Sequence, residues 1–153
     1  MTPILELQNV TKLYGKAPAV QGVNFTLEKG EVHALLGENG AGKSTLTKIM
    51  AGVVQPTSGN MLLDGKAIQL RTPAEAVHTG IAMVFQETSL VQSMTVAQNL
   101  FLGNEKFFNR IRGVNIAAQQ FMQSLSFDVD PTLMVSSLGA AKKQMVEIAR
   151  AML

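Results

Sequence analysis

Val32 to Thr45 reads VHALLGENGAGKST, a short apolar run followed by three glycines and a Lys-Ser-Thr triplet. VHALL has the look of a strand buried on both faces. Gly37-Glu38-Asn39-Gly40-Ala41-Gly42-Lys43-Ser44 then matches G-x-x-x-x-G-K-[ST], and a helical pattern follows to about Ala51, where Gly52 is placed to end it. Glycines let the backbone curl until consecutive N–H groups converge on one anion. The helix that follows brings the positive end of its dipole to the same spot. Lys43 then reaches the β- and γ-phosphates of a nucleotide as a point charge, and Ser44 offers its hydroxyl to Mg²⁺. Thr45, through its side chain or its N–H, meets the α-phosphate. A Gly-rich turn that merely caps a helix is the plainer alternative, but the strand–loop–helix setting favours the phosphate site. The rival dinucleotide pattern, G-x-G-x-x-G, is not matched.

The bulk composition is compatible with such a site. The 153 residues are 46% hydrophobic and 16% charged, which suits one globular domain rather than a disordered chain. A net charge of +2 is too small to argue for nucleic acid or a membrane surface. Without cysteine there is neither a disulfide framework nor a thiolate metal site, and His33 and His78 have no zinc-ligand spacing. The polar N-terminus, MTPILELQNVTKLYG, does not read as a secretory signal, and no apolar run is long enough to span a bilayer. A soluble, cytosolic setting is the expectation.

Strand signals dominate the first half of the chain. Ile4 to Val10 alternates apolar and polar, Val20 to Leu27 does so less cleanly, and Glu28-Lys29-Gly30 is a turn. Met61 to Leu63, Asp64-Gly65 and Lys66 to Leu70 read as a hairpin, because Asp-Gly is a strong turn signal. Thr72-Pro73 opens a short helix running to about Thr79. Ile81 to Phe85 is a second buried strand, and helical segments follow near 95–102, 115–125 and 140–153. The expected architecture is an α/β core with a helical appendage.

Several separated stretches carry a family resemblance. GEVHALLGENGAGKST, LTKIMAGVVQPTSGNMLLDGK, MVFQE and QMVEIARAM occur in the order found in the ATP-binding subunits of ABC transporters. The wording is similar in particular to the sugar-import type, which serves ribose, galactose, xylose or autoinducer-2. The resemblance implies a P-loop NTPase (ABC ATPase) core with an antiparallel β subdomain and the start of a helical subdomain, truncated before the Walker B strand. On that plan residues 1–86 are the nucleotide-binding core, 87–138 the helical subdomain that meets a permease, and 139–153 the signature motif and its helix.

The site residues follow position by position from the resemblance. Tyr14, in TKLYG, falls where the family stacks an aromatic on adenine, an arrangement any base accepts; a half-buried turn tyrosine is the alternative. Gln86, ending the IAMVF stretch and 43 residues beyond Lys43, matches the glutamine that touches Mg²⁺ or the attacking water and signals to the membrane subunit. Gly37, Glu38, Asn39, Gly40, Ala41, Gly42, Lys43, Ser44 and Thr45 form the ATP cradle. Lys43 and Gln86 are the catalytic candidates, and Ser44 and Gln86 the metal candidates.

The family's LSGGQ signature falls on Leu138 to Lys142, with Gly139 in place of the serine and Ala141 in place of the second glycine. The first change removes a hydroxyl and the second adds a methyl, so the motif reads as degenerate. Ala141, Met145, Ile148 and Met152 are expected to form its helix's apolar stripe, with Glu147 and Arg150 off it. The helical segment's Phe101, Phe107, Phe108, Phe121 and Phe127 read as subdomain core, with an interface patch as the alternative, and the methionines read as core filler. No strand ending in acids follows, so the expectation is an N-terminal piece of an ATP-binding domain, inactive alone. The parent is then an ATPase at the cytoplasmic membrane face, driving sugar uptake. Its partners are permease subunits, a second ATP-binding domain and, indirectly, a solute-binding protein. A non-transport ABC-type ATPase, or a fragment that does not bind nucleotide, are the alternatives.

Overall fold

The alternation in ILELQNV builds the central strand of an antiparallel sheet. The computed structural model describes residues 3–85, 89–103 and 111–153. They belong to two compact units, Met1–Met83 and Val84–Leu153. In the first, β1 (Leu5–Tyr14), β2 (Ala17–Leu27), β3 (Ser58–Leu63) and β4 (Lys66–Ile68) pair antiparallel in the order β2-β1-β3-β4. A register shift between Leu7 and Val10, with Asn9 at φ 51°, resets the alternation of β1. Without that bulge Val10 would face the opposite side from Leu5 and Leu7; with it, all three are buried. The Asn9 N–H donates to Asn24 Oδ1 at 2.8 Å, which replaces the ladder bond lost at the bulge.

The β3–β4 connection is Asp64-Gly65, both at positive φ (48° and 75°), the mirror-image turn that suits a twisted hairpin. Helix α1 (Lys43–Met50) buries Leu46 and Ile49 in the same core as Leu5, Leu7, Val10 and Met61. Gly52, at φ 68°, ends it by donating to the Ile49 carbonyl at 3.1 Å. Helix α2 (Pro73–His78) starts as expected, with Pro at its first turn and the Thr72 hydroxyl accepting from the Glu75 N–H at 3.3 Å.

Two expected strands do not form. Residues 31–38 and 81–85 carry no strand assignment, and Val32 and Leu36 are 99% and 90% exposed. A strand has no hydrogen bonds of its own, and a doubly buried one needs neighbours on both sides. Among the described residues the four strands pair only with one another. Leu35 and Ile81 still pack at the margin of the core. His33 is exposed, with its ring edge-on to Phe25 and its Nδ1 2.8 Å from Glu31 Oε1.

The second unit is helical: α3 (Val96–Leu100), α4 (Ile111–Ser124) and α5 (Ala140–Met152). Thr95 and Gln98 form a reciprocal capping box at the start of α3. Its core holds Val96, Leu100, Phe101, Met122, Val146 and Ala149, with Phe121 and Phe127 packed against it; Phe107 and Phe108 lie outside the described residues. Methionine is not uniformly filler, since Met122 is buried but Met134 and Met152 are exposed. The expected stripe of α5 is rotated as well. Val146, Glu147 and Ala149 are its buried residues, whereas Ala141 is exposed and Met152 is 60% exposed. Met145 still packs against the core and Ile148 is half-buried, but periodicity alone leaves out Glu147, which is drawn inward by its hydrogen bond with the Ser89 N–H.

Candidate functional site

Gly37 to Thr45 forms a loop that closes on its own lysine. Lys43 Nζ donates to the carbonyls of Gly37 and Glu38, each at 2.7 Å. An ammonium has three donors, so one N–H is left for an incoming acceptor. The Ala41 N–H donates to the Glu38 carbonyl at 3.2 Å, which tightens the loop into a turn. At the start of α1 the Leu46 N–H donates to the Gly42 carbonyl at 2.9 Å. The N–H groups of Lys43, Ser44 and Thr45 come earlier than that first bond and have no intrahelical acceptor. They point with the helix dipole toward whatever lies beyond the N-terminus. No side chain caps that end, and no acidic residue stands in its first turn.

Gly42 is where sequence and geometry meet most tightly. Its φ is 86°, and a Cβ there would sit 2.4 Å from the Ala19 carbonyl oxygen and 3.1 Å from Val20 Cγ2. Backbone of the loop therefore lies directly against β2, and only glycine permits it. Gly40, at φ 88°, needs glycine for its dihedral alone, since nothing lies within 4 Å of a Cβ built on it. A cavity of about 390 Å³ opens beside the loop, lined by Ala19, Val20 and Val23 of β2 with Gly40, Gly42 and Lys43. The role of β2 as a wall was not anticipated from sequence, because no local spacing reports a contact between Ala19 and Gly42. Ahead of the loop, the Glu31 carboxyl is held below its usual range by a hydrogen bond from the Glu28 N–H, and secondarily by His33.

The remaining candidates are spread more widely. Tyr14 ends β1, opposite Ala17 across the hairpin, and is 54% exposed. Lys12 Nζ lies 5.3 Å from its ring centroid, within cation–π range. Tyr14 is outside the lining of the 390 Å³ cavity, although the strand it pairs with supplies one wall. Gln86 lies outside the described residues. Gly139 is the N-cap of α5 at φ −68° and ψ 163°, with no side-chain cap, and nothing approaches within 4 Å of a Cβ placed there. Its backbone would accept serine without strain, so the glycine is not a structural requirement.

For a divalent cation, the described residues hold no cluster of three or more His, Asp, Glu or Cys that could form a cage. The Ser44 hydroxyl, exposed at the mouth of α1, is the available protein donor. That sparse set suits Mg²⁺, which binds by one or two protein groups together with substrate phosphates.

Comparison with known proteins places these features in a family. Residues 20–153 match the family described as ABC transporter. The chain is 46% identical over 155 residues to "Ribose import ATP-binding protein RbsA 1" of Rubrobacter xylanophilus, covering 99% of this chain and 31% of that protein. It is 43% identical to "Ribose import ATP-binding protein RbsA 2" of Escherichia coli O157:H7, covering 99% of this chain and 30% of that protein. The chain thus spans about a third of the length of these curated relatives. Among solved structures it is similar to a nucleotide-free ATP-binding cassette from an ABC transporter (TM-score 0.84, 29% identity, 98% of this chain and 64% of that one). A second is the ADP conformation of MJ1267, an ATP-binding cassette of an ABC transporter (TM-score 0.83, 27% identity, 99% and 65%).

Proposed function

The chain belongs to the ABC transporter family, and from that premise we propose that it forms part of an ATP-binding subunit coupling ATP hydrolysis to uptake of a sugar. The observation that carries this reading is the loop itself. An ammonium and three unpaired helix N–H groups face one mouth, beside a cavity large enough for phosphates. The 46% identity to a ribose import ATP-binding protein supports the sugar-import assignment.

In this proposal residues 1–86 form the nucleotide-binding core, 87–138 the helical part facing a permease, and 139–153 an altered signature motif. The backbone from Glu38 to Thr45 cradles the phosphates, and Lys43 keeps its loop carbonyls while its free N–H takes a phosphate oxygen. Tyr14 offers its exposed ring to adenine. Ser44 and Gln86 would hold Mg²⁺, whose contribution when bound is to neutralise charge on the transferring phosphoryl group. Gln86 also orients the attacking water. Two such domains close head to tail on ATP, and permease subunits at the cytoplasmic membrane face receive the motion; a solute-binding protein delivers the sugar. Among the described residues no helix is long and apolar enough to cross a membrane, in keeping with a peripheral subunit.

Titration of a fluorescent ATP analogue into the chain and into Lys43→Ala tests the site. Affinity is expected to fall about tenfold to a hundredfold in the variant, the range for a lost charge-assisted hydrogen bond. Equal affinities would remove the phosphate loop from the account.

A further inference from the structure

Tyr14 is the only tyrosine of the chain, which has no tryptophan. It ends β1 directly before Gly15, whose φ of 62° turns the hairpin, and it is 54% exposed. An exposed aromatic at a strand end has several open rotamers, and fixing it against a ligand costs entropy at the moment of binding. Here the ring already has a partner. Lys12, two residues earlier on β1, holds its ammonium over the ring, 5.3 Å from the centroid.

That ammonium is itself anchored. Lys12 Nζ donates to the Gln55 carbonyl at 2.7 Å, and Gln55 is held in turn by its side-chain amide, which donates to the Leu70 carbonyl. Two further hydrogen bonds bind the same segment to β1. The Leu13 N–H donates to Thr57 Oγ1 at 3.0 Å, and the Thr57 N–H donates to the Thr11 carbonyl at 2.7 Å. Among the described residues no carboxylate pairs with Lys12, so its charge stands beside the ring without a counter-ion. Satisfying the Gln55 carbonyl needs only a donor, whereas the contact with the ring uses the charge.

We propose that Lys12 is a positioning residue: tethered to Gln55, its ammonium covers one face of the Tyr14 ring and holds the other face ready for the adenine base. The proposal rests on the reading of Tyr14 as the adenine platform given above. All of its parts lie in the unit Met1–Met83. Lys12 is neither in the phosphate loop nor in the lining of the 390 Å³ cavity, so its effect passes through the ring and bears on the base rather than on the phosphates.

With no other tyrosine and no tryptophan, the intrinsic fluorescence of the chain reports the Tyr14 ring directly. In the nucleotide-free chain the emission anisotropy is expected to decay mainly with overall tumbling. Lys12→Met keeps the stem and removes the ammonium, and should raise the fast, subnanosecond fraction about twofold. Lys12→Arg keeps a charge for the ring and a donor for the Gln55 carbonyl, and should retain the slow decay. Calorimetric titration then separates base from phosphate. Lys12→Met should bind MgATP about twofold to fivefold more weakly, the range for a cation–π contact at an exposed site. Magnesium tripolyphosphate, which has no base, should bind it as tightly as it binds the parent. An unchanged anisotropy in Lys12→Met overturns the proposal, as does Lys12→Arg behaving like Lys12→Met. An equal loss of affinity for both ligands overturns it too, because a general disturbance of the sheet would do the same. Should Lys12→Met fail to fold, Lys12→Gln, neutral but still a donor, is judged by the same two readouts. Tyr14 emission in the parent should be quenched by MgATP and not by tripolyphosphate. Absence of that quenching contradicts the adenine reading, while the anisotropy shows on its own whether Lys12 holds the ring.

Discussion

Gly42 and Gly139 each stand immediately before a helix, yet the two glycines are held by different forces. At Gly42 the backbone is left-handed and lies so close to Ala19 that a single methyl would overlap its carbonyl. At Gly139 the backbone is extended, with open space where a side chain would go. The fold demands the first glycine and merely tolerates the second. Where a resemblance puts a serine, as it does at Gly139, the departure must then be weighed as chemistry, since the local structure would accommodate either residue.

The sharpest challenge to that contrast is Gly42→Ala. A clash against backbone combined with a positive φ is expected to cost about 2–4 kcal/mol, visible in urea denaturation, and to abolish binding of the ATP analogue. Gly40→Ala isolates the dihedral alone, because its Cβ meets nothing; a loss of about 1–2 kcal/mol is expected by the same measurement. A larger loss at Gly40 than at Gly42 would mean that the approach to β2 does not govern the loop. Gly139→Ser should reverse the sign, stabilising the chain by a few tenths, about 0.3 kcal/mol, through an N-cap hydroxyl. Destabilisation there would show that position 139 is constrained after all.

The smallest effect concerns the run into the loop. The Glu31 carboxyl is held below the usual carboxylate range, by the hydrogen bond from the Glu28 N–H first and by His33 second. A carboxyl depressed on folding adds stability that is present above its unfolded pKa and is lost as pH falls through the folded one. Glu31→Gln should therefore leave acid unfolding below pH 4.5 slightly less steep than in the parent, and the comparison of urea midpoints across that range checks it. Because Glu31 is exposed, the change should be small and should shrink further in salt.

What could be read from sequence was what is local. The Asp64-Gly65 turn, the Thr72-Pro73 helix start and the Gly52 stop each depend on a few adjacent residues, and each appears where their chemistry puts it. The strand expected at Val32 to Leu36 depends on neighbours that the run itself cannot specify, and no described strand pairs with it. The buried face of α5 was misjudged for a related reason. A periodicity count treats Glu147 as solvated, but the Ser89 N–H, 58 residues away, supplies an acceptor's partner inside the helical unit. The candidate site divides the same way. Its glycines and Lys43 were legible as a motif, whereas the β2 wall against Gly42 is a tertiary contact with no sequence signal.

The central claim is that the phosphates are received by Gly37 to Thr45, where the loop closes on Lys43, and not by the start of α5, which has no such loop before it. Backbone amide shifts on adding MgATP test it most directly. The account predicts large, saturable changes at the amides of Glu38 to Thr45 and none beyond error at Gly139 to Ala141. Changes of equal size at both helix starts, or none at the first, would contradict it.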